Sequence, residues 1–205
     1  MIAIIDYGMG NILSVVKAFE YLKADIKIVR SKDELEIAEN IKGIVLPGVG
    51  AFGDCMKNLN DRGLAESLRF FINKGVPYLG ICLGLQILFE SSEESPDIQG
   101  LSIFKGVNKK FPDTLKVPHM GWNRVKFLKK DIPLMKGIDD NTHFYFVHSY
   151  YVFSEESNIV AMRTNYGIEF SSGVWKKNVY GVQFHPEKSQ NAGLKVLKNF
   201  VELCM

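Results

Sequence analysis

The chain has 205 residues, of which 46% are hydrophobic and 12% aromatic, and 25 Lys and Arg residues against 23 Asp and Glu residues give a formal net charge of +2. This length and composition predict a globular protein with a substantial core, folded as one domain over residues 1–205. The balanced charge, without a long Lys/Arg run, argues against nucleic-acid binding.

Residues 1–90 alternate strand-like and helix-like patterns. The opening MIAIIDYG has no basic start and Asp6 interrupts its apolar run, so we predict neither a signal peptide nor a membrane span. The predicted strands are MIAIID, IKIV, IKGIVLPG and VPYLGIC. The predicted helices are one over 12–22, a short one that begins at a Ser31/Glu34 capping box, and one at LGLQILFE. A further helical segment is predicted over 54–73, with a break near Arg62-Gly63. This alternation predicts an α/β fold, a doubly wound and mostly parallel sheet with helices on both faces.

The second half of the chain has a different pattern. From Leu101 to about Gln183 the strand-like runs lie close together, at VKFL, HFYFVHSYYVF, NIVAMRT, IEFSSGVW and VYGVQF. We therefore expect antiparallel strands that extend the sheet, followed by an amphipathic helix over about 192–203.

Three glycine-rich segments, YGMGN, PGVGAFG and GICLGLQ, follow predicted strands. Sites in such sheets gather at the carboxyl ends of strands. PGVGAFG lacks the Lys-Ser/Thr of a nucleotide phosphate loop, and it can be a plain flexible loop or a source of backbone amides for an oxyanion.

Cys82 lies where the fourth predicted strand meets the next helix. Because free cysteine is often buried, a core thiol is one interpretation. Gly80 and Gly84 flank it at the spacing of a nucleophile elbow, and the N–H groups of the following helix, Leu83 first, would favour a thiolate and stabilise an oxyanion.

Cys82 is one of three cysteines, with Cys55 and Cys204. Their odd number, without a CxxC pair, predicts neither a disulfide framework nor a structural zinc site. We expect free thiols and a cytoplasmic protein.

A thiol nucleophile needs a base, and the run GVQFHPEKS offers one. His185 and Glu187 are two residues apart, and if Pro186 keeps the backbone extended they share one face. Glu187 would then orient the imidazole, as the third member of a triad does. A surface histidine beside a solvated glutamate is the alternative.

PGVGAF, GICLGLQ and GVQFHPEKS, in this order, resemble the class I glutamine amidotransferases over essentially the whole chain. IAIIDYGMGNILSV, VPHMGWNRV and FYFVHSYYV narrow the resemblance to the glutaminase subunits of imidazole glycerol phosphate synthases. The resemblance implies that Cys82 attacks the side-chain amide of glutamine, His185 moves the proton and Glu187 orients His185.

The resemblance also implies the residues around the triad. The oxyanion would be held by the amide of Leu83 and by one amide of the Gly48-Val49-Gly50 loop, whose first peptide would flip on activation. Gln86 and the segment His148-Ser149-Tyr150 would hold the glutamine. From the residues alone, a solvent-facing Gln86 and a half-buried Tyr150 on a strand are the better interpretation.

A partner is implied in the same way. Ammonia would pass to a separate (β/α)₈-barrel cyclase subunit in a heterodimer, which makes imidazole glycerol phosphate and an aminoimidazole carboxamide ribotide in histidine biosynthesis. Asn11, Met120, Trp122 and Lys188 match positions at or near that interface. Neither cofactor nor metal is implied.

Other functions stay open at this point. A related subunit for nucleotide-sugar and surface-glycan routes would share HMGWN and the triad. A cysteine hydrolase or peptidase would share the elbow, though not HPEKS together with PGVGAF. A non-catalytic subunit would usually lack a triad residue, and DYGMGN and HMGWN argue against the amidotransferases of anthranilate, guanylate or carbamoyl phosphate synthesis.

Overall fold

The computed structural model describes residues 1–38 and 40–205, and in these residues twelve strands form one sheet. The strands are β1 (Ile2–Ile5), β2 (Ile26–Val29), β3 (Gly43–Gly48), β4 (Tyr78–Cys82), β5 (Phe89–Ser92), β6 (Phe104–Lys110), β7 (His119–Phe127), β8 (Thr142–His148), β9 (Tyr150–Ser154), β10 (Val160–Tyr166), β11 (Ile168–Lys176) and β12 (Val179–Val182). The helices are α1 (Ile12–Tyr21), α2 (Lys32–Glu36), α3 (Phe52–Asp61), α4 (Leu64–Asn73), α5 (Leu83–Gln86) and α6 (Gln190–Leu203), with 3₁₀ turns at Pro133–Met135, Ser157–Ile159 and Pro186–Lys188.

The sheet has a parallel part and an antiparallel part, as predicted. Its main order is β2-β1-β3-β4-β12-β11-β10-β7-β8. The strands from β2 to β12 pair in parallel, and the strands from β11 to β8 continue the sheet in antiparallel pairs. Since β4 and β12 are parallel neighbours, the segments that follow them emerge at the same edge of the sheet.

Helices cover both faces of the parallel strands. Along β1 the side chains alternate, so Ile2 and Ile4 pack in one core cluster and Ala3 and Ile5 in the other. Helices α1 and α6 pack against the first face, and α2, α3 and α4 against the second. Strands buried on both faces require near-continuous apolar runs, and this is why MIAIID and IKGIVLPG can be recognised as strands in the sequence.

Two predicted segments end differently in the structure. The predicted helix at LGLQILFE stops at Gln86, and β5 begins at Phe89. Phe89 pairs with Phe104 of β6, a strand that the sequence did not indicate, and the two buried rings lie 5.8 Å apart. The predicted run HFYFVHSYYVF is divided at Ser149, because β8 pairs with β7 whereas β9 pairs with β6 and β11.

The structure also shows how α2 begins and where the predicted helical segment over 54–73 is interrupted. Ser31 caps α2 by accepting a hydrogen bond from the Glu34 amide (3.3 Å), but the Glu34 carboxylate accepts from the Arg30 amide (2.7 Å) and not from Ser31 as in a full capping box. The break near Arg62-Gly63 is confirmed, with Gly63 in the left-handed region at φ 67° between α3 and α4. In the described part of the chain, no helix has the length and apolar character needed to cross a membrane.

Candidate active site

The predicted elbow at Cys82 is a strained turn in the structure. Cys82 ends β4 with φ 54° and ψ −105°, a conformation that costs free energy for a residue with a side chain. A Cβ atom at Gly80 would overlap the carbonyl oxygen of Gly84, and one at Gly84 would overlap the carbonyl oxygen of Leu46. The following helix α5 has only four residues, so its dipole is smaller than a long helix would supply.

Gly84→Ala is expected to lower the free energy of unfolding by at least about 3 kcal/mol, because backbone on β3 must move to admit the methyl group. Gly75→Ala is the control, since Gly75 has no atom within 4 Å of its would-be Cβ and its positive φ of 86° is the source of strain there. That variant should lose only about 1 kcal/mol. Equal losses in urea unfolding would show that the elbow is not closely packed.

His185 and Glu187 form an ion pair beside the elbow. His185 Nδ1 lies 2.8 Å from Glu187 Oε1, and both side chains are buried. The predicted extended backbone is wrong: Pro186–Lys188 is a 3₁₀ turn, as suits proline at the first position of a helical turn. Ser189 holds this turn, because its hydroxyl donates to the His185 carbonyl (2.7 Å) and accepts from the Tyr145 amide (2.9 Å).

The pKa of His185 is raised above its ordinary value. Burial acts against the imidazolium, but the charges of Cys82 and Glu187 on either side of the ring outweigh it. His185 Nε2 is buried and makes no conventional hydrogen bond among the described residues, and Cys82, whose interaction raises the pKa of the ring, is the group with which it can exchange a proton. The imidazole is thus equipped to act as a general base and acid.

A cavity of about 280 Å³ opens next to Cys82. Of the residues predicted around the triad, those that line it are Val49, Gly50, Leu83, Gln86, His148, Ser149 and Tyr150. Pro118, Val147 and Glu94, which sequence reasoning missed, also line it. The cavity is large enough for an amino acid, and the Glu94 carboxylate gives it a negative charge.

Gln86 and His148 are both buried. The Gln86 amide donates to the Tyr150 carbonyl (2.8 Å) and to Gln183 Oε1 (3.2 Å). A solvent-facing Gln86 is therefore excluded, although its contact with a substrate stays a prediction.

A second, smaller cavity lies beside His185 and Glu187. It measures about 20 Å³, which is room for about one water-sized molecule. Its lining includes both of these residues, Asn11, Gly48 and Lys188. Val49 lines both cavities, so the segment after β3 separates the large cavity from the small one.

His148 forms a buried pair with His119. His119 Nδ1 and His148 Nε2 are 2.9 Å apart, and His148 Nδ1 lies 2.8 Å from the Tyr150 carbonyl oxygen. Burial lowers the pKa of His148 to about 3 and that of His119 to about 4. Both rings are therefore neutral at pH 7.

This pair makes the fold sensitive to acid. Unfolded histidine has a pKa of about 6.5, so between pH 6.5 and about 4 the unfolded chain binds protons that the folded chain rejects. Stability should fall with pH in this window by up to about 1.4 kcal/mol per pH unit for each histidine.

The measurement is urea unfolding at pH 7, 6 and 5. His119→Asn should reduce the slope, and His143→Asn, a change at an exposed position outside the buried pair, is the control variant. If the free energy of unfolding of His119→Asn depended on pH as strongly as that of the wild type, the interpretation of His119 and His148 as a buried neutral pair would be wrong.

Of the predicted partner-facing residues, Asn11 and Lys188 line the small cavity, and Met120 and Trp122 are exposed on β7. Met120 and Trp122 on β7 are 61% and 47% exposed, although most large apolar side chains of the chain are buried. The Trp122 ring makes an edge contact with Tyr145 (6.1 Å between centroids), and Lys188 Nζ lies 6.0 Å from the same Tyr145 ring. Asn11 precedes α1, where its side-chain amide donates to the Ser14 hydroxyl (2.9 Å), and it lines the small cavity. Asn11, Met120, Trp122, Tyr145 and Lys188 are called the rim patch below.

Metal ligation has no support among the described residues, where no cluster of three or more His, Cys, Asp or Glu side chains is suited to hold an ion. All three cysteines are free.

Comparison with known proteins agrees with the resemblance seen in the motifs. The family model described as glutamine amidotransferase class-I matches residues 3–204. The protein named imidazole glycerol phosphate synthase subunit HisH from Methanocaldococcus jannaschii is 52% identical, covering 99% of this chain and 100% of the relative. A protein of the same name from Moorella thermoacetica is 50% identical, covering 98% and 94%.

Solved structures support the fold. A structure described as glutamine amidotransferase superposes with a TM-score of 0.77 at 18% identity, covering 99% of this chain and 98% of that one. The structure of PurLQS from Thermotoga maritima gives 0.78 at 18% identity, covering 98% and 97%. The chain belongs to the class I glutamine amidotransferases and, within them, to the HisH family of imidazole glycerol phosphate synthase subunits.

Proposed function

We propose that the chain hydrolyses glutamine to glutamate and ammonia, as the glutaminase subunit of an imidazole glycerol phosphate synthase in histidine biosynthesis. The observation that carries the proposal is the placement of Cys82 and the His185–Glu187 pair at the ends of the neighbouring strands β4 and β12, beside a cavity of amino-acid size. The names of relatives at about half identity support the histidine route over a glycan route.

The reaction begins with the proton of the Cys82 thiol on His185 Nε2, so that a thiolate faces an imidazolium that Glu187 also stabilises. The thiolate attacks the amide carbon of glutamine, and the negative charge on oxygen is stabilised by the Leu83 amide and one amide of the Gly48-Val49-Gly50 loop. His185 then protonates the leaving nitrogen, so ammonia departs and a glutamyl thioester remains. With His185 again as base, water attacks the thioester and releases glutamate and the thiol.

The cavity supplies the groups that hold glutamine. The Glu94 carboxylate is suited to the α-ammonium group, and it is itself fixed by accepting a hydrogen bond from the Phe52 amide at the start of α3 (2.7 Å). Gln86 and the segment His148-Ser149-Tyr150 complete the wall. Neutral His148 adds no charge that would compete with Glu94 for the ammonium group.

We propose that ammonia leaves through the small cavity toward the rim patch, where a (β/α)₈-barrel cyclase subunit binds. The small cavity is lined by His185 and by the rim-patch residues Asn11 and Lys188. Exposed Trp122 and Met120 are suited to anchor a protein interface. Enclosure matters because ammonia in bulk water at neutral pH is mostly protonated and unreactive.

Glutamate release tests this proposal. The chain is assayed alone, with the cyclase subunit, and with the cyclase and its nucleotide ligand. We expect low activity alone and a clear rise with the liganded cyclase, since Val49 of the oxyanion loop lines both the large cavity and the small cavity that the rim patch borders, so contact there can shift the loop. Activity that ignores the cyclase would point to a free-standing hydrolase, and no activity in a demonstrated complex would leave a binding subunit.

A further inference from the structure

Gln183 is a buried polar residue in contact with the nucleophile. It follows β12, has 0% exposure, and donates from Nε2 to Cys82 Sγ at 3.5 Å. Its other amide atom, Oε1, accepts from Gln86 Nε2 at 3.2 Å. These two bonds fix the orientation of the Gln183 amide with its N–H toward the sulfur, where a donor favours the thiolate over the thiol.

The chain of hydrogen bonds continues away from the sulfur. Gln86 Nε2 also donates to the Tyr150 carbonyl oxygen (2.8 Å), which lies 2.8 Å from His148 Nδ1 as well. A carbonyl only accepts, so His148 carries its proton on Nδ1, and in the neutral ring Nε2 is an acceptor. The proton between the two histidines therefore belongs to His119 Nδ1.

The far end of the chain is on strand β7. With its proton on Nδ1, His119 accepts at Nε2 from Asn123 Nδ2 at 3.2 Å. Asn123 Nδ2 also donates to the Asn165 carbonyl (2.9 Å), which fixes the orientation of that amide. Each donor in this chain meets an acceptor only if the rings of His119 and His148 are both neutral, which is also the state that their burial favours.

Strand β7 has two different faces. His119 and Asn123 point inward, whereas Met120 and Trp122 of the rim patch alternate with them and are exposed. His119 is directly opposite His148 in the β7–β8 register, so a shift of β7 changes the contact between the two rings. The inward face of β7 and the sulfur of Cys82 are thus joined through one connected set of hydrogen bonds, and the outward residues of the rim patch lie on the same strand.

We infer that Gln183 is a positioning residue for Cys82, and that Asn123, His119, His148 and Gln86 form a relay that holds the Gln183 amide toward the sulfur. The inference rests on the proposed function for its biological use, namely that contact at β7 changes the reactivity of the thiol. The relay acts on the sulfur of Cys82, so it can be tested in the absence of glutamine.

The test is the rate at which iodoacetamide alkylates Cys82 at pH 7, read by peptide mapping. Gln183→Met should slow alkylation about tenfold, since a hydrogen bond to a charged group is lost, and the smaller thiolate fraction outweighs the gain in intrinsic nucleophilicity. Gln183→Glu, of nearly equal size, should slow it at least as much, because a carboxylate replaces the donor. Simple loosening of the packing would instead speed alkylation by exposing the sulfur.

A distant pair of variants tests the relay. His119→Leu should slow alkylation about threefold or more, whereas His119→Asn, whose amide nitrogen can replace Nδ1 as donor to His148, should restore most of the rate. In the double variant His119→Leu/Gln183→Met, the rate should match that of Gln183→Met alone, since the two changes interrupt one set of bonds.

The inference is overturned if folded Gln183→Met or His119→Leu keeps the wild-type rate, or if their effects multiply in the double variant. Urea unfolding establishes that each variant is folded. In the complex with the cyclase, Gln183→Met should lower kcat for glutamine hydrolysis about tenfold with little change in KM. A failure of the proposed function would appear separately, as glutamine hydrolysis that survives Cys82→Ala.

Discussion

Cys82→Ala should lower glutamine hydrolysis by at least about 10⁴-fold and leave binding of the cyclase subunit intact. In the proposed mechanism the thiol forms the covalent intermediate, and the methyl group of alanine offers nothing in its place. Cys82 lies at the wall of the large cavity, 4.0 Å from the Val147 carbonyl and within reach of Gln183. The measurement is glutamate release by the complex, with pull-down of the cyclase as the binding assay.

Cys204→Ala is the matched control. Cys204 is also a buried free thiol, but it caps the end of α6 and packs against Gly43, away from both cavities. It should keep activity near the wild-type level. If Cys82→Ala kept substantial activity, or if Cys204→Ala lost it, the assignment of the nucleophile would be wrong.

His185→Asn should cost about 10³- to 10⁴-fold in kcat/KM, because no group remains to take the thiol proton or to protonate the departing ammonia. Asparagine retains a hydrogen-bonding atom near the position of Nδ1, so contact with Glu187 can persist while the proton shuttle is lost. Formation of the thioester should be slowed as strongly as turnover. His143→Asn, at an exposed site, should be neutral.

Glu187→Gln should lower kcat/KM by less than His185→Asn does, and it should lower the pKa of His185. The carboxylate contributes to raising that pKa, and an amide removes the charge while keeping the size. NMR titration of the imidazole would measure the change. An unchanged pKa in Glu187→Gln would contradict the role of Glu187 in stabilising the imidazolium.

The parallel half of the fold was predictable because its physical signals are local. Strands buried on both faces read as apolar runs, and glycine at a strand end marks a tight turn. Cys82, His185 and Glu187 each lie in a short motif with a recognisable spacing. Their meeting in space depends on β4 and β12 being neighbours, which no local pattern reports.

Other features depend on contacts between distant segments. A short apolar run such as LGLQILFE fits a helix or a strand, and the pairing of β5 with β6 decides between them. Glu94 lies in the acidic run SSEESPD, which resembles a solvated loop. The pairing of His119 with His148 follows from the β7–β8 register, which a sequence separation of 29 residues hides.

The orientation of Gln183 could have been predicted in part from the sequence. Gln183 is two residues before His185, and alternation along an extended strand could have placed both side chains on the same side. The sequence does not reveal that its amide meets the sulfur of Cys82, because that contact spans 101 residues.

The most direct test of the account is active-site labelling with a diazoketone analogue of glutamine, followed by peptide mapping. The diazo carbon of this reagent takes up a proton, the thiolate sulfur bonds to that carbon as N₂ leaves, and a stable thioether remains. We expect one label, on Cys82, that is blocked by excess glutamine and is lost in His185→Asn. Labelling of Cys55 or Cys204, or labelling of Cys82 that glutamine does not prevent, would contradict it.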